Sequence, residues 1–210
     1  MVIRSKIRKE LVKAAALFAA VILTIEAVPF SKTITAHASL KDMDKARQCT
    51  FIIPDGFVQS KDKGVYVNVH YPLESANISY SVTEIPQDRI LTNQEKAEGR
   101  DAETTDEDLR YDELTADMYE EIQKENYSAL YGDAAGYTME NFEGITIDGF
   151  SGYKITESLT GNDEQRIHQV AYIILSSNKV FTIVYSRADD DYFEEAFEES
   201  QASIHVRKMQ

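Results

Sequence analysis

The chain has 210 residues, with 36 acids against 22 bases, one Cys and no Trp. Its net charge of −14 excludes non-specific nucleic-acid binding, which needs clustered Lys and Arg to neutralise phosphates. A single Cys excludes a disulfide framework and any multi-Cys zinc or iron–sulfur centre, and 43% hydrophobic content with 10% aromatics is too rich for a disordered chain.

Residues 1–38 read as a secretory signal. Arg4, Lys6, Arg8, Lys9 and Lys13 form a basic start, an apolar run follows from Ala14 to Ile25, and Ala36-His37-Ala38 places cleavage before Ser39. The run is shorter than the roughly 20 residues of a membrane span and Glu26 closes it. The competing reading is an uncleaved N-terminal anchor, which would be the chain's one attachment to a membrane. The leader removes six bases and two acids, so the mature chain is more acidic still. Residues 39–49 are polar and read as a flexible arm. Residues 50–210 read as a single α/β domain, long enough to bury a core without staples.

Three strands open the domain. Residues 50–53 form a short β-branched and aromatic run, stopped by the turn signal Pro54-Asp55-Gly56. Residues 64–71 alternate, with Val65, Val67 and Val69 on one face, and residues 77–85 alternate again, with Ile78, Tyr80 and Val82 together. Residues 86–106 form an acidic excursion. Thr104 and Glu107 have the spacing of a capping box and predict a helix over 107–131. Its apolar stripe is Leu114, Met118, Ile122 and Leu130; Asp112, Glu113, Asp117, Glu120 and Glu121 lie opposite, and Gly132 ends it.

Residues 133–142 read as a connection and 145–147 as a short strand. Residues 152–159 form a strand with Tyr153 and Ile155 on one face, and Thr160-Gly161-Asn162-Asp163 signals a hairpin. Residues 165–175 and 180–185, joined through Ser176-Ser177-Asn178, are strands apolar on both faces, as for strands covered on both sides. Asp189 or Asp190 caps a final helix with the stripe Phe193, Ala196, Phe197 and Ile204. The pattern predicts the α+β class: an antiparallel sheet of six to seven strands with helices packed on both faces, a three-layer α/β/α sandwich.

Phe51-Ile-Ile-Pro-Asp-Gly-Phe57 resembles the F-x-x-P-x-G-[FW] opening of the PsbP-like group. That group includes the extrinsic photosystem II protein, the Ran-release factor of yeast and secreted bacterial relatives. The ending is similar too: Gly152-Tyr153 opening a strand, two hairpin strands, and an aromatic-bearing last helix. The resemblance spans residues 50–205. It implies an α/β/α fold used as a non-enzymatic adaptor or binding module, and it carries over no catalytic residue.

Few residues offer chemistry. Cys49, the lone thiol, would need a base such as His70 or His168 to act as a nucleophile, and reads instead as packed at the edge of the first strand. A free thiol in a secreted chain could also pair between chains. Most carboxylates fall on solvated helix faces and do not single out an acid/base pair. Asp189, Asp190 and Asp191 are weak metal candidates without the alternating ligands, central Gly and distal Glu of a calcium loop. No G-x-S-x-G, H-E-x-x-H or Gly-rich phosphate loop occurs, and no cofactor is implied. Tyr127, Tyr131 and Tyr137 could line a groove for a protein or peptide ligand, since Tyr is enriched at recognition surfaces; ordinary core packing is the competing reading.

The sequence thus reads as a secreted or cell-envelope, non-catalytic binding module. An extracellular hydrolase or thiol enzyme, and an acidic, cation-responsive structural envelope protein, are the alternatives. Acids concentrate in 84–125, with fifteen against five bases, and in 189–199, with seven and no base. A basic partner would therefore meet the helices, and a neutral one the sheet edges or the Tyr-rich loop.

Overall fold

A computed structural model describes residues 43–71, 73–85, 114–131, 136–160 and 165–210. The expected leader, the excursion at 86–106, the Thr104–Glu107 capping box and the hairpin tip at 161–163 lie outside these residues, as do the side chains of Leu130 and Tyr131.

Among the described residues, nine strands and two helices follow in the order β1 (Ala46–Thr50), β2 (Phe57–Gln59), β3 (Val65–Asn68), β4 (Asn77–Glu84), α1 (Ala116–Tyr131), β5 (Thr138–Ile147), β6 (Phe150–Thr160), β7 (Arg166–Leu175), β8 (Lys179–Ala188), α2 (Glu194–Ala202) and β9 (His205–Lys208). Seven strands form one sheet in the order β2-β3-β4-β8-β7-β6-β5, and β1 pairs with β9 as a separate ribbon. Every pairing is antiparallel. The expected sheet of six to seven antiparallel strands is therefore present, with a second sheet beside it.

Turn chemistry sets the register. Asp148 and Gly149 both take positive φ, at 50° and 87°, and Ile147 faces Phe150, so a two-residue loop closes the β5–β6 hairpin. Asp-Gly is the preferred pair for such a loop, because both positions must be left-handed. Gly64 sits at φ +79°, and a Cβ there would lie 2.2 Å from the Tyr80 carbonyl oxygen. Only glycine lets the chain entering β3 approach β4 so closely.

Alternation along the central strands divides the core. Tyr172 and Ile174 of β7 join Phe181, Ile183 and Tyr185 of β8 and Phe197 of α2 in one cluster. Ala171, Ile173 and Leu175 join Tyr153, Ile155, Leu114 and Tyr119 in another. The first cluster also takes in Ala46 and Cys49 of β1 and Val206 of β9, so the ribbon is part of the core.

Four sequence expectations are corrected. The polar arm was drawn through residue 49, but β1 begins at Ala46, because β9 offers it a pairing partner that local sequence does not reveal. The long helix does not run unbroken from 107, since Leu114 and Thr115 are not helical; Thr115 Oγ1 accepts the Met118 N–H and acts as the cap. Residues 138–142, read as a connection, belong to β5, whose bulge between Met139 and Asn141 breaks the alternation. The last helix begins at Glu194 with Phe193, not Asp189 or Asp190, at its N-cap, and Ile204 lies beyond its end.

Candidate functional site

Glu157 is the one acid among the described residues that is buried, at 2% exposure. Its position follows from period-two alternation: Tyr153, Ile155, Glu157 and Leu159 share one face of β6, and three of the four are apolar core residues. On β7 it stands directly opposite Gln169, also buried. Helix α1 lays Tyr119, Ile122, Gln123 and Tyr127 inward, at the 3–4 residue spacing of one helix face.

These polar groups form one layer. The Tyr137 hydroxyl donates to Glu157 Oε2 at 2.8 Å, and the Tyr119 hydroxyl also bonds that carboxyl. Tyr119 is itself bonded by Gln123. The Tyr127 hydroxyl donates to Gln169 Oε1 at 2.7 Å, and the Tyr127 and Tyr137 rings stack 5.3 Å apart. Burial raises the Glu157 carboxyl to about 7, against the pull of the two tyrosine hydrogen bonds. Burial, then the neighbouring Glu157 carboxyl, raises Tyr119 well above the ordinary phenol range. The same two causes raise Tyr137. Three side-chain atoms of the layer have no hydrogen-bond partner: Gln123 Oε1, Asn126 Nδ2 and Gln169 Nε2. The layer can therefore hold or release a proton at Glu157, with tyrosine hydroxyls as its nearest polar neighbours.

The expected tyrosine site is partly assembled here. Tyr127 and Tyr137 come together, but both are buried against the sheet and do not line an open groove. The Tyr131 side chain lies outside the described residues. The sequence reading missed Glu157 and Gln123, although alternation already put Glu157 on the same face as Tyr153 and Ile155.

Cys49 faces the core at 6% exposure. Burial, and then the charge of Asp148, pushes its thiol up to about 12, far from a reactive thiolate. His168 is elsewhere, on β7, with its ring nitrogen on Asp189. His205 is exposed on β9 and shares Asp148 Oδ2 with the Val206 N–H, and these bonds hold the Asp148 carboxyl below its usual range. The acid whose charge Cys49 feels is thus the one that His205 holds, but the thiol itself is buried and kept protonated. The Asp189–Asp191 carboxylates point to separate partners: Asp189 to His168, Asp190 to Gln165 at 3.0 Å, Asp191 to Ser75 and the Ala188 N–H. Among the described residues no group of three His, Cys, Asp or Glu is placed to hold a metal ion.

Comparison with known proteins supports the architecture. The solution structure of cyanobacterial PsbP (CyanoP) from Synechocystis sp. PCC 6803 matches at a TM-score of 0.50 and 19% identity, over 85% of this chain and 99% of that one. A crystal structure from Bacteroides thetaiotaomicron matches at a TM-score of 0.40 and 14% identity, over 76% of this chain and 45% of that one. No protein-family model and no curated protein matches the sequence. The class the fold defines is PsbP-like: an antiparallel sheet with two described helices. No helix among the described residues is long and apolar enough to cross a membrane.

Proposed function

We propose that the protein is a non-catalytic binding or adaptor module working outside the cytoplasm, either secreted or held at the membrane by its leader. Its partner is a protein or peptide, met by the turns beside the β2 edge of the sheet. In this reading α1 and α2 cover opposite faces of the sheet, which leaves edges and turns for recognition.

One observation carries the proposal. Leu73 and Tyr192 are 92% and 99% exposed, on two turns joined by the Ser75 hydroxyl donating to Asp191 Oδ2 at 3.2 Å. Val58 of β2 and Val69, just after β3, are also exposed. Single exposed apolar residues are ordinary, but several on adjoining turns mark an interaction surface. Cys49 and Glu157, the buried thiol and the buried acid among the described residues, are both enclosed by the core rather than presented at the surface.

The test is site-specific photocrosslinking in the full chain, expressed with its leader. A photoreactive side chain at Leu73 or Tyr192 should give a discrete adduct in the extracytoplasmic fraction. The same group at Glu125, exposed on α1, should not. No adduct from either turn, or the same adducts from all three positions, would sink the proposal.

A further inference from the structure

We propose that Glu157 is a proton-operated latch for helix α1: the helix is held on the sheet when the carboxyl is protonated and loosens when it ionises. The binding reading above does not enter into this.

The geometry is that of a lone carboxyl in a neutral layer. From α1 it meets the Tyr119 hydroxyl, with Gln123 behind it; from the segment before β5 it meets the Tyr137 hydroxyl. Met139 of β5 and Gln169 of β7 flank it across the strands. The other titratable groups beside the layer are Tyr127 and Glu120, neither of which is cationic. Glu120 is ion-paired with Lys124 along the exposed side of α1. Among the described residues no Lys, Arg or His faces Glu157, so its negative charge has only hydroxyl dipoles to stabilise it. A buried charge without a counter-ion is costly, whereas a neutral acid is not.

The three unpartnered atoms of the layer are of mixed kind: Gln123 Oε1 is an acceptor, and Asn126 Nδ2 and Gln169 Nε2 are donors. Ionisation of Glu157 places an uncompensated charge where α1 meets the sheet, and protonation removes it. Among the described side chains, the inward face of α1 carries Tyr119, Gln123 and Tyr127 beside Ile122 and the partly buried Met118, so polar groups make up much of its contact with the sheet.

Amide hydrogen exchange of the full chain between pH 5 and pH 8, corrected for intrinsic rates, tests the latch. Protection of the α1 amides should fall roughly fiftyfold over that range, since each pKa unit is a tenfold change. Protection in β7 and β8 should change less. Glu157→Gln should flatten the α1 profile. Should that variant not fold, Tyr137→Phe removes a donor to the ionised carboxyl and should move the α1 transition to higher pH. A flat wild-type α1 profile overturns the latch. So does a Glu157→Gln profile with the wild-type slope, or a Tyr137→Phe transition that stays in place or moves to lower pH.

Discussion

The two larger clusters of the core are built on different principles. The one containing α2 is aromatic and aliphatic: Phe197 packs 5.5 Å from Phe57 and 5.3 Å from Tyr185, ring to ring. Its polar atoms find partners, as where the Tyr185 hydroxyl meets Ser200 Oγ and the Tyr172 hydroxyl donates to Gln201. The one containing α1, together with the small cluster of Tyr127, Tyr137 and Leu159 beside it, mixes Ile155, Ile173 and Leu175 with Glu157, Gln123, Gln169 and four tyrosines. Among the described residues, the five unpartnered buried polar atoms lie away from the α2 cluster: in α1, on Gln169, or on Ser79 and Ser81, which alternate with Ile78 and Tyr80 of that cluster. One cluster is thus fixed by packing and the other tuned by protonation. A helix held by apolar contact responds to volume changes, while one held through a buried acid responds to pH.

The largest effect that would sharpen this contrast is expected at Phe197. Phe197→Ala should destabilise the protein by about 3–5 kcal/mol, as large-to-small changes in well-packed cores do. Denaturant unfolding should give the same loss at pH 5 and pH 8. A loss that varied with pH would break the contrast from the α2 side. A smaller effect is expected at Asn178, whose side chain brackets Ala46: Oδ1 accepts the Ala46 N–H at 2.8 Å, and Nδ2 donates to the Ala46 carbonyl at 3.0 Å. Asn178→Ala should cost about 1–3 kcal/mol, because it strands two buried backbone groups. Amide exchange should speed up first in β1 and β9.

Local signals made much of this fold legible. Alternation over 77–85, 152–159 and 165–175 located β4, β6 and β7 within one or two residues of each end, because each strand has a committed inner face. The ribbon was hidden for the opposite reason. Residues 46–50 and 205–208 are short, polar on one side and far apart in sequence, and only tertiary pairing makes them strands. Asp148-Gly149 was a usable hairpin signal that the bulge in β5 obscured. Tyr127 and Tyr137 were visible as a cluster, but their burial was not, since a tyrosine fits a wet surface and a hydrogen-bonded interior equally well. Glu157 was overlooked among many surface acids, although it broke an apolar face. A charge at an inward strand position is the more telling signal.

This contrast between the clusters is tested most directly by the pH dependence of unfolding free energy in the wild type and in Glu157→Gln. The Glu157 carboxyl is raised from 4.5 to about 7 in the folded state, so the native protein holds a proton that the unfolded chain gives up. Stability from that proton is fully present below about pH 4.5 and is lost as pH rises through about 7. The wild type should therefore lose about 3 kcal/mol relative to Glu157→Gln between these limits, at 1.36 kcal/mol for each pKa unit. Parallel curves for the two proteins from pH 4 to pH 8 would contradict this picture of the α1 side.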